Sequence, residues 1–262
     1  DRSPSRGLGD VYKRQNIDII IPSYRSKDLT SLAIRSFEKN KGTFNFRYIV
    51  VENAGDESYK DDITSLNDNV IWVTNNCKHE YLSSFTNGEA VEKGLELVET
   101  EYVFVCHNDT VAVSPNWMNF LYSKIQEGCM MAGTVADNAR INAVHISGLL
   151  IKSEIAKSIN FSPVYDEYEN NIIDVGDNWT QHCRNEGLDY YCCRNTHNDN
   201  IEKIPEPFTN FQVDRAVDDN GNVVFLHLGR GTRKALGQYH QPNKTLHDGW
   251  VNFVEKEVLG VD

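Results

Sequence analysis

The chain has 262 residues, 40% of them apolar, which suits one large α/β domain with a sizeable core. Its formal net charge of -12 and the lack of a prominent Lys or Arg cluster argue against nucleic acid as the main partner. The six cysteines have no regular spacing, no secretory signal is visible, and no apolar run approaches the roughly 20 residues that cross a bilayer, so we expect a cytoplasmic protein with reduced thiols.

The first 15 residues, DRSPSRGLGDVYKRQ, differ in character from the rest of the chain. They are rich in Arg and Gly and lack apolar periodicity, and their last residues resemble translated junction sequence. We therefore expect residues 1–15 to be a non-native or disordered extension, with a disordered native arm as the alternative. The folded part is expected to be a single domain over residues 16–262.

Strand and helix patterns alternate from residue 16 onward. Apolar, β-branched runs predict strands at 17–21, 48–51 and 70–73. Apolar residues at helical spacing predict helices over 28–39 and 83–98. Because parallel strands are joined by crossover helices of this kind, the order predicts a parallel sheet.

The most informative segment follows the next predicted strand, 102–106. This apolar run stops at His107, Asn108 and Asp109, so these side chains are expected at the carboxyl end of a strand, where open α/β sheets bind ligands. A carboxylate beside an imidazole and a carboxamide suits a divalent cation that bridges the phosphates of a nucleotide. The alternative is that Asp109 caps a helix that begins near Trp117.

Three polar strand ends are expected at one edge of this sheet, because the carboxyl ends of parallel strands lie together. They are residues 22–25, 52–56 and 107–110. In the middle one, Glu52 and Asn53 supply a carboxylate and a carboxamide that can hydrogen-bond a base and a ribose. The edge is therefore predicted to be a nucleotide site.

The order of the segments IIIPSYRS, IVVENAGDES, TNGEAVEKG and EYVFVCHNDT is similar to the nucleotide-sugar half of family 2 glycosyltransferases with the GT-A fold. The order and spacing of the motifs carry the resemblance. The resemblance covers about residues 16–121. It implies an α/β fold with a Rossmann-like, mostly parallel central sheet flanked by helices, and an acceptor half with a C-terminal closing segment over residues 122–262.

The resemblance also implies roles for individual residues. The family's Asp-x-Asp metal motif maps onto residues 107–109, where Asp109 keeps the metal-binding carboxylate and His107 replaces the first acidic residue. We expect a divalent cation, Mn²⁺ or Mg²⁺, with the metal preference left open by His107. The residues expected to bind the nucleotide sugar in this half are Pro22, Tyr24, Glu52, Asn53, Asn87 and Asn108.

In the second half, residues 142–151 resemble the strand before the acceptor region, and 153–158 the short helix after it. An acidic motif opens the following helix in the family and supplies the general base. Here the candidate is Asp177, with Asp174 as the second candidate, because Gly176 and Asp177 stand where the family has Glu and Asp. The alternative is that an Asp at this position is an ordinary helix cap.

Near the C-terminus, a predicted strand at 223–226 ends in the segment HLGRGTRK, which resembles the segment that closes over the diphosphate in many GT-A enzymes. His227 is expected to complete the metal site, and Arg230 and Arg233 to offset phosphate charge. The alternative is a surface turn with solvated basic residues.

Two further groups of residues are weaker candidates. The adjacent Cys192 and Cys193 would point to opposite faces of a strand, which disfavours a zinc site formed by His182, Cys183, Cys192, Cys193 and His197. Residues 238–250, with their histidines and aromatic side chains, either stack on a sugar or form a polar loop before a helix at 250–259. We favour the polar loop.

The resemblance therefore predicts a hexosyltransferase that moves a sugar from a nucleotide sugar to a carbohydrate or lipid-linked acceptor, with inversion, as in polysaccharide biosynthesis. Its expected location is the cytoplasm or, through peripheral association, the inner face of the membrane. One alternative is a catalytically silent nucleotide- or glycan-binding relative. Another is a nucleotidyltransferase, although residues 22–27 contain no glycine for a phosphate loop.

Overall fold

The computed structural model describes residues 15–77, 84–135, 143–165, 172–195, 213–237 and 243–261. The predicted N-terminal extension therefore lies outside the described residues, apart from Gln15. The strands are β1 (Asn16–Ser23), β2 (Asn45–Glu52), β3 (Val70–Thr74), β4 (Tyr102–Cys106), β5 (Thr110–Ala112), β6 (Met131–Val135), β7 (Val144–Lys152), β8 (Val164–Tyr165), β9 (Ile172–Ile173), β10 (Tyr191–Asn195), β11 (Asp214–Val217) and β12 (Val223–His227). The helices are α1 (Lys27–Lys39), α2 (Lys60–Thr64), α3 (Ser84–Glu96), α4 (Trp117–Gln126), α5 (Ser153–Ser158), α6 (Asp177–Glu186), α7 (Gly231–Ala235) and α8 (Asn243–Phe253).

The first four strands form the predicted parallel sheet, in the order β3-β2-β1-β4. All but the first residue of β1 and all of β4 are buried, as expected for strands covered on both faces. Pro22 pairs with Val51, and Ser23 with Glu52, so the loops after β1 and β2 leave the sheet side by side. This confirms the predicted convergence of strand ends.

The sheet continues beyond β4 with mixed directions. β7 is antiparallel to β4 and to β6, β10 is parallel to β6, and β11, β12 and β5 follow with antiparallel pairing. Residues 107–109 carry the chain from β4 to β5, where Thr110 pairs with His227. The predicted α/β class with a central sheet flanked by helices is confirmed, and the antiparallel β5-β12 pair brings the C-terminal half to the end of β4.

Aromatic packing holds helices against one face of this sheet. The Trp117 ring, fully buried at the start of α4, lies 5.1 Å from the Phe37 ring of α1 and 4.9 Å from the Phe104 ring of β4. The opposite face is covered by α3 and α6, which contribute Val91 and the fully buried Trp179. Truncating an aromatic side chain buried in this way costs about 3–5 kcal/mol, so these contacts fix the layers on which the strand ends depend.

The last helix begins earlier than the sequence suggested. α8 covers Asn243–Phe253 and continues into a π-helical segment, Val254–Leu259. Our prediction of a polar loop over 243–250 is therefore wrong, while residues 238–242 lie outside the described residues. The physical reason is that Trp250 is fully buried, packs on Phe253 and joins a core with Leu29 and Leu226, so the helix has an apolar face to anchor it.

Two smaller expectations concern the C-terminal half. Cys193 is buried on one face of β10 and Cys192 packs against the core of the other face, as expected for adjacent strand residues. His197 of the disfavoured zinc group lies outside the described residues. In the described part of the chain, no helix combines the length and apolar character needed to cross a membrane.

Candidate active site at the strand ends

Glu52 organises the loops that follow β1 and β2. Its side chain is fully buried, and its Oε1 accepts hydrogen bonds from the backbone N–H of Arg25 (2.8 Å) and the hydroxyl of Tyr59 (3.1 Å). Its Oε2 accepts from the backbone N–H groups of Ala54 and Asp56, both at 2.8 Å. Because these donors surround the carboxylate, Glu52 shapes both loops, and its expected contact with a nucleoside stays a prediction.

Asn53 makes a second structural link. Its Nδ2 donates to the carbonyl of Thr86 in α3 (2.7 Å), and its Oδ1 accepts from Nδ2 of Asn75 (2.5 Å). It is 2% exposed, and Pro22 is also buried, whereas Tyr24 and Asn87 are partly exposed. Of the predicted nucleoside-binding residues, Tyr24 and Asn87 are therefore the more accessible.

Beside Tyr24, Arg25 adopts a backbone conformation that side chains rarely take. Its φ is +48°, in the left-handed region, and its exposed guanidinium lies 5.8 Å from the centre of the Tyr24 ring. Such a conformation costs roughly 1–2 kcal/mol for a residue with a Cβ. Strained backbone of this kind clusters at functional sites. Arg25 lies within the strand end 22–25 predicted from the sequence, and its strained backbone adds it to the candidate residues.

The predicted metal ligands come together at the ends of β4 and β12. Nδ1 of His107 lies 3.2 Å from Nε2 of His227, and the same Nε2 lies 3.3 Å from Oδ1 of Asp109. If each of the three residues supplies one ligand atom, these three atoms all lie within 4.8 Å of one another. The side chains of His227 and Asp109 are only 12% and 3% exposed. The structure therefore brings together the three side chains expected to hold a cation.

The electrostatics of this group follow from its burial and its charges. Burial opposes ionisation of Asp109, but the charges of His227 and His107 and the hydrogen bonds from His227 and Gly231 hold its pKa well below the usual value. Burial also acts to lower the pKa of His227, yet Asp109, with help from Asp214, raises it to about 9. At neutral pH, His227 is therefore the cationic partner of Asp109.

Two residues that the sequence did not single out complete the group. Oδ2 of Asp214 lies 3.5 Å from Nδ1 of His227, and the two residues pair across β11 and β12. The His145 ring on β7 lies edge-on to the His107 ring, with centres 5.3 Å apart, and its Nδ1 accepts from the backbone N–H of Ser147 (3.2 Å). The pairing of distant strands is what places both side chains here, so no local signal predicted them.

The segment after β12 closes over Asp109. The backbone N–H of Gly231 donates to Oδ2 of Asp109 at 2.8 Å, and a Cβ on Gly231 would lie 2.7 Å from that oxygen. Ser26 donates to the hydroxyl of Thr232 (3.2 Å), which in turn donates to Oδ1 of Asn108 (3.4 Å). The loops after β1, β4 and β12 are thus connected, and glycine is needed where backbone meets carboxylate.

The two arginines predicted to offset phosphate charge lie in the same segment. Arg230 is exposed and has a φ of +55°, the second non-glycine residue in the left-handed region among those described. Arg233 is partly exposed on the short helix α7. Both arginines therefore belong to the segment in which Gly231 contacts Asp109.

Comparison with known proteins agrees with this architecture. No protein-family model and no curated protein matches the sequence. A mannosyltransferase from Pyrobaculum calidifontis, solved in complex with GDP-Man and Mn²⁺, matches 93% of this chain and 71% of its own, with a TM-score of 0.52 and 10% identity. Glucosyl-3-phosphoglycerate synthase from Mycobacterium tuberculosis matches 73% of this chain and 74% of its own, with a TM-score of 0.49 and 13% identity.

The chain has the GT-A fold. At 10% identity, the likeness to the mannosyltransferase extends to the fold alone. Within this GT-A domain, the strand ends described above form the edge that carries residues 107–109.

The acceptor-side candidates lie at the start of α6. Asp177 is fully buried, and its Oδ2 accepts from the backbone N–H of Asp174 at 2.9 Å. Asp174 is partly exposed, and its Oδ1 accepts from the N–H of Val175 (2.7 Å). Gly176 between them has a φ of +84° and packs closely on Ile146 of β7. The GT-A domain thus places the acidic turn beside the strand that carries His145; a catalytic role for either carboxylate stays a prediction.

Proposed function

We propose that this chain is a glycosyltransferase that moves a hexosyl group from a nucleotide sugar to a hydroxyl acceptor, with the family 2 type of organisation. The observation that carries the proposal is the convergence of His107, Asp109 and His227 at the strand ends of a GT-A fold. A nucleotide diphosphate needs cationic partners, and in a chain of net charge -12 they must be concentrated locally.

The three converging side chains suit a divalent cation. The separations of 3.2 and 3.3 Å between their donor atoms match the spacing of neighbouring ligands, about 3.0–3.4 Å, around an ion with bonds near 2.1 Å. When bound, such a cation (Mn²⁺ or Mg²⁺) neutralises charge that develops on the leaving diphosphate. The chain itself holds these ligands in place. Asp214 orients the His227 ring, and the N–H of Gly231 orients the Asp109 carboxylate.

The donor is proposed to lie across the loops after β1 and β12. Tyr24 offers a partly exposed ring for the base, and Asn87 and Asn108 offer carboxamides. Arg230 and Arg233 approach the diphosphate from the closing segment and offset its charge by hydrogen bonds. Because the same segment also contacts Asp109, binding of the diphosphate and ordering of this segment are expected to be coupled.

Transfer requires that the acceptor hydroxyl lose its proton as it attacks the anomeric carbon. We propose that a carboxylate at the start of α6 accepts this proton, which contributes about 10²- to 10⁴-fold to the rate. Asp177 is the first candidate, but its full burial means that the turn must open to admit an acceptor. Asp174 is partly exposed and reaches solvent directly. A single displacement inverts the anomeric configuration, and the acceptor is proposed to be a carbohydrate or a lipid-linked sugar.

The decisive test combines nucleotide binding with product analysis. Thermal shift of the purified chain is measured with nucleoside diphosphates and nucleotide sugars, each with and without Mn²⁺ or Mg²⁺, because a ligand that binds the native state raises its stability. The expected result is a metal-dependent shift for one nucleotide, followed by transfer that releases a nucleoside diphosphate. Release of pyrophosphate in a parallel reaction with a nucleoside triphosphate and a sugar phosphate would instead indicate a nucleotidyltransferase. No shift in folded protein would indicate a silent relative.

A matched pair of variants connects this result to the site. Asp109→Asn is expected to abolish the metal-dependent shift while the fold is retained. Asp68→Asn changes the same group at an exposed position before β3, at the opposite edge of the parallel strands, and is expected to leave the shift unchanged. Equal behaviour of the two variants would contradict the role assigned to Asp109.

A further inference from the structure

The donor set at the ends of β4 and β12 differs from the acidic pair implied by the resemblance. His107 stands at the first acidic position, so the ligand atoms are two imidazole nitrogens and one carboxylate oxygen. We propose that His107 makes this centre selective for nitrogen-preferring divalent ions such as Co²⁺ and Zn²⁺, and a poor site for Mg²⁺. This inference rests on the proposed metal site but concerns which ion that site takes.

The position of His107 suits a metal ligand. Its Nδ1 lies 3.2 Å from Nε2 of His227, which is close to the separation of Nε2 from Oδ1 of Asp109 (3.3 Å). His227 therefore has both other donor atoms at the spacing of neighbouring ligands on one ion, about 3.0–3.4 Å for bonds near 2.1 Å. An ion held by His227 and Asp109 is thus within reach of the imidazole of His107.

The orientation of both rings is set by neighbouring groups. Asp214 lies 3.5 Å from Nδ1 of His227, and a carboxylate there favours a proton on Nδ1 and leaves Nε2 to face the other ligands. The His107 ring packs at 84° against the His145 ring. His145 is itself held on β7 by the N–H and the hydroxyl of Ser147, at 3.2 and 2.9 Å from its Nδ1. Pre-oriented imidazoles bind with little loss of side-chain freedom.

Charge and solvation then discriminate between ions. Mg²⁺ prefers oxygen ligands and keeps several waters, whereas imidazole suits Zn²⁺ and other late first-row ions. With His107 in place of a carboxylate, the site has one formal negative charge among its ligands instead of two. The Asp109 side chain is 3% exposed and that of His227 is 12% exposed, so an ion between them keeps few waters on that side. Each of these features disfavours Mg²⁺ relative to Co²⁺ or Zn²⁺.

The experiment measures metal affinity directly, on the 262-residue chain without a polyhistidine tag and without nucleotide. Binding of Mn²⁺ is followed by its EPR signal, and Mg²⁺, Co²⁺ and Zn²⁺ are added as competitors. We expect Co²⁺ to bind at least about 100-fold more tightly than Mg²⁺, and His107→Asp to reduce that ratio at least about tenfold. His182→Asp, the same change on the surface of α6, is the control and should leave the ratio unchanged.

A spectroscopic measurement keeps the inference testable if His107→Asp does not fold. Pulsed EPR of Mn²⁺ in the unaltered chain detects coupling to ligand nitrogen, and we expect two imidazole nitrogens. One nitrogen or none, or an unchanged affinity ratio in folded His107→Asp, overturns the proposal. If the chain transfers sugar but His107→Asp has the same ratio of Co²⁺ to Mg²⁺ affinity, the proposed function is supported and this inference is wrong. If the chain binds Co²⁺ selectively but binds no nucleotide, this inference is supported and the proposed function is wrong.

Discussion

Gly231 is the point at which the C-terminal segment touches the predicted metal ligand, and Gly231→Ala tests that contact. A Cβ at this position would lie 2.5 Å from Cβ and 2.7 Å from Oδ2 of Asp109, closer than such atoms approach in proteins. The segment can relieve the clash only by moving away, which breaks the 2.8 Å hydrogen bond from the Gly231 N–H to Oδ2. Gly231 does not have a positive φ, so the effect is steric rather than conformational.

The expected cost follows from these alternatives. Overpacking costs about 1–3 kcal/mol, and loss of a hydrogen bond to a charged group costs about 1.5–3 kcal/mol. Because the clash is relieved by breaking the hydrogen bond, the two costs do not add. We predict a decrease of about 2–3 kcal/mol in the free energy of unfolding. Without the N–H that orients its second oxygen, Asp109 should bind Mn²⁺ about 10- to 100-fold more weakly. Urea unfolding and EPR titration measure the two effects.

Gly237→Ala is the matched control for this prediction. Gly237 has a φ of +68° with no atom within 4 Å of an added Cβ, so the substitution strains the backbone without touching the site. It should cost about 1–2 kcal/mol and leave Mn²⁺ affinity unchanged. Our reasoning is refuted if Gly231→Ala binds Mn²⁺ as tightly as Gly237→Ala, and tighter binding would mean that the Gly231 N–H competes with the ion.

Three other predictions follow from the described contacts. Burial raises the pKa of Asp18, but two 2.7 Å hydrogen bonds from Arg47 and further backbone hydrogen bonds lower that pKa below the usual value. The Asp18 carboxylate therefore stabilises the fold above about pH 4, and this contribution is lost as the pH falls through the folded pKa. Asp18→Asn should flatten this part of the pH dependence of the unfolding free energy, measured with urea, and an unchanged slope would contradict the prediction. Arg230→Gly removes the strain of a φ of +55°, so the free energy of unfolding should stay the same or rise by up to about 1 kcal/mol. The same variant should bind the nucleotide more weakly in the thermal-shift assay. A lower melting temperature without nucleotide would contradict the prediction. Asp177→Asn and Asp174→Asn should both retain nucleotide binding, and the one that loses transfer identifies the base; retention of transfer in both would exclude the turn from proton transfer.

The elements near the N-terminus could be predicted because their signals are local. β4 is a continuous apolar run, and β1 is an apolar run broken only by Asp18. Such runs need cover on both faces wherever they lie in the chain. α1 has its buried residues at helical spacing. Polar residues at the ends of these strands then mark one edge of the sheet. In contrast, Trp250 carried no periodic signal strong enough to start α8 at Asn243, because the core it joins includes Leu29 and Leu226, which are more than 20 residues away in the chain.

The sequence by itself determined the α/β alternation, the parallel half of the sheet and the candidacy of His107, Asp109 and His227. Only the tertiary structure decided which atoms of these residues face one another, and that Asp214, His145 and Gly231 support them. The physical reason is the reach of each signal. Periodicity reports which face of an element is buried, whereas the site depends on the antiparallel pairing of β12 with β5 and on loop contacts between residues more than 100 positions apart.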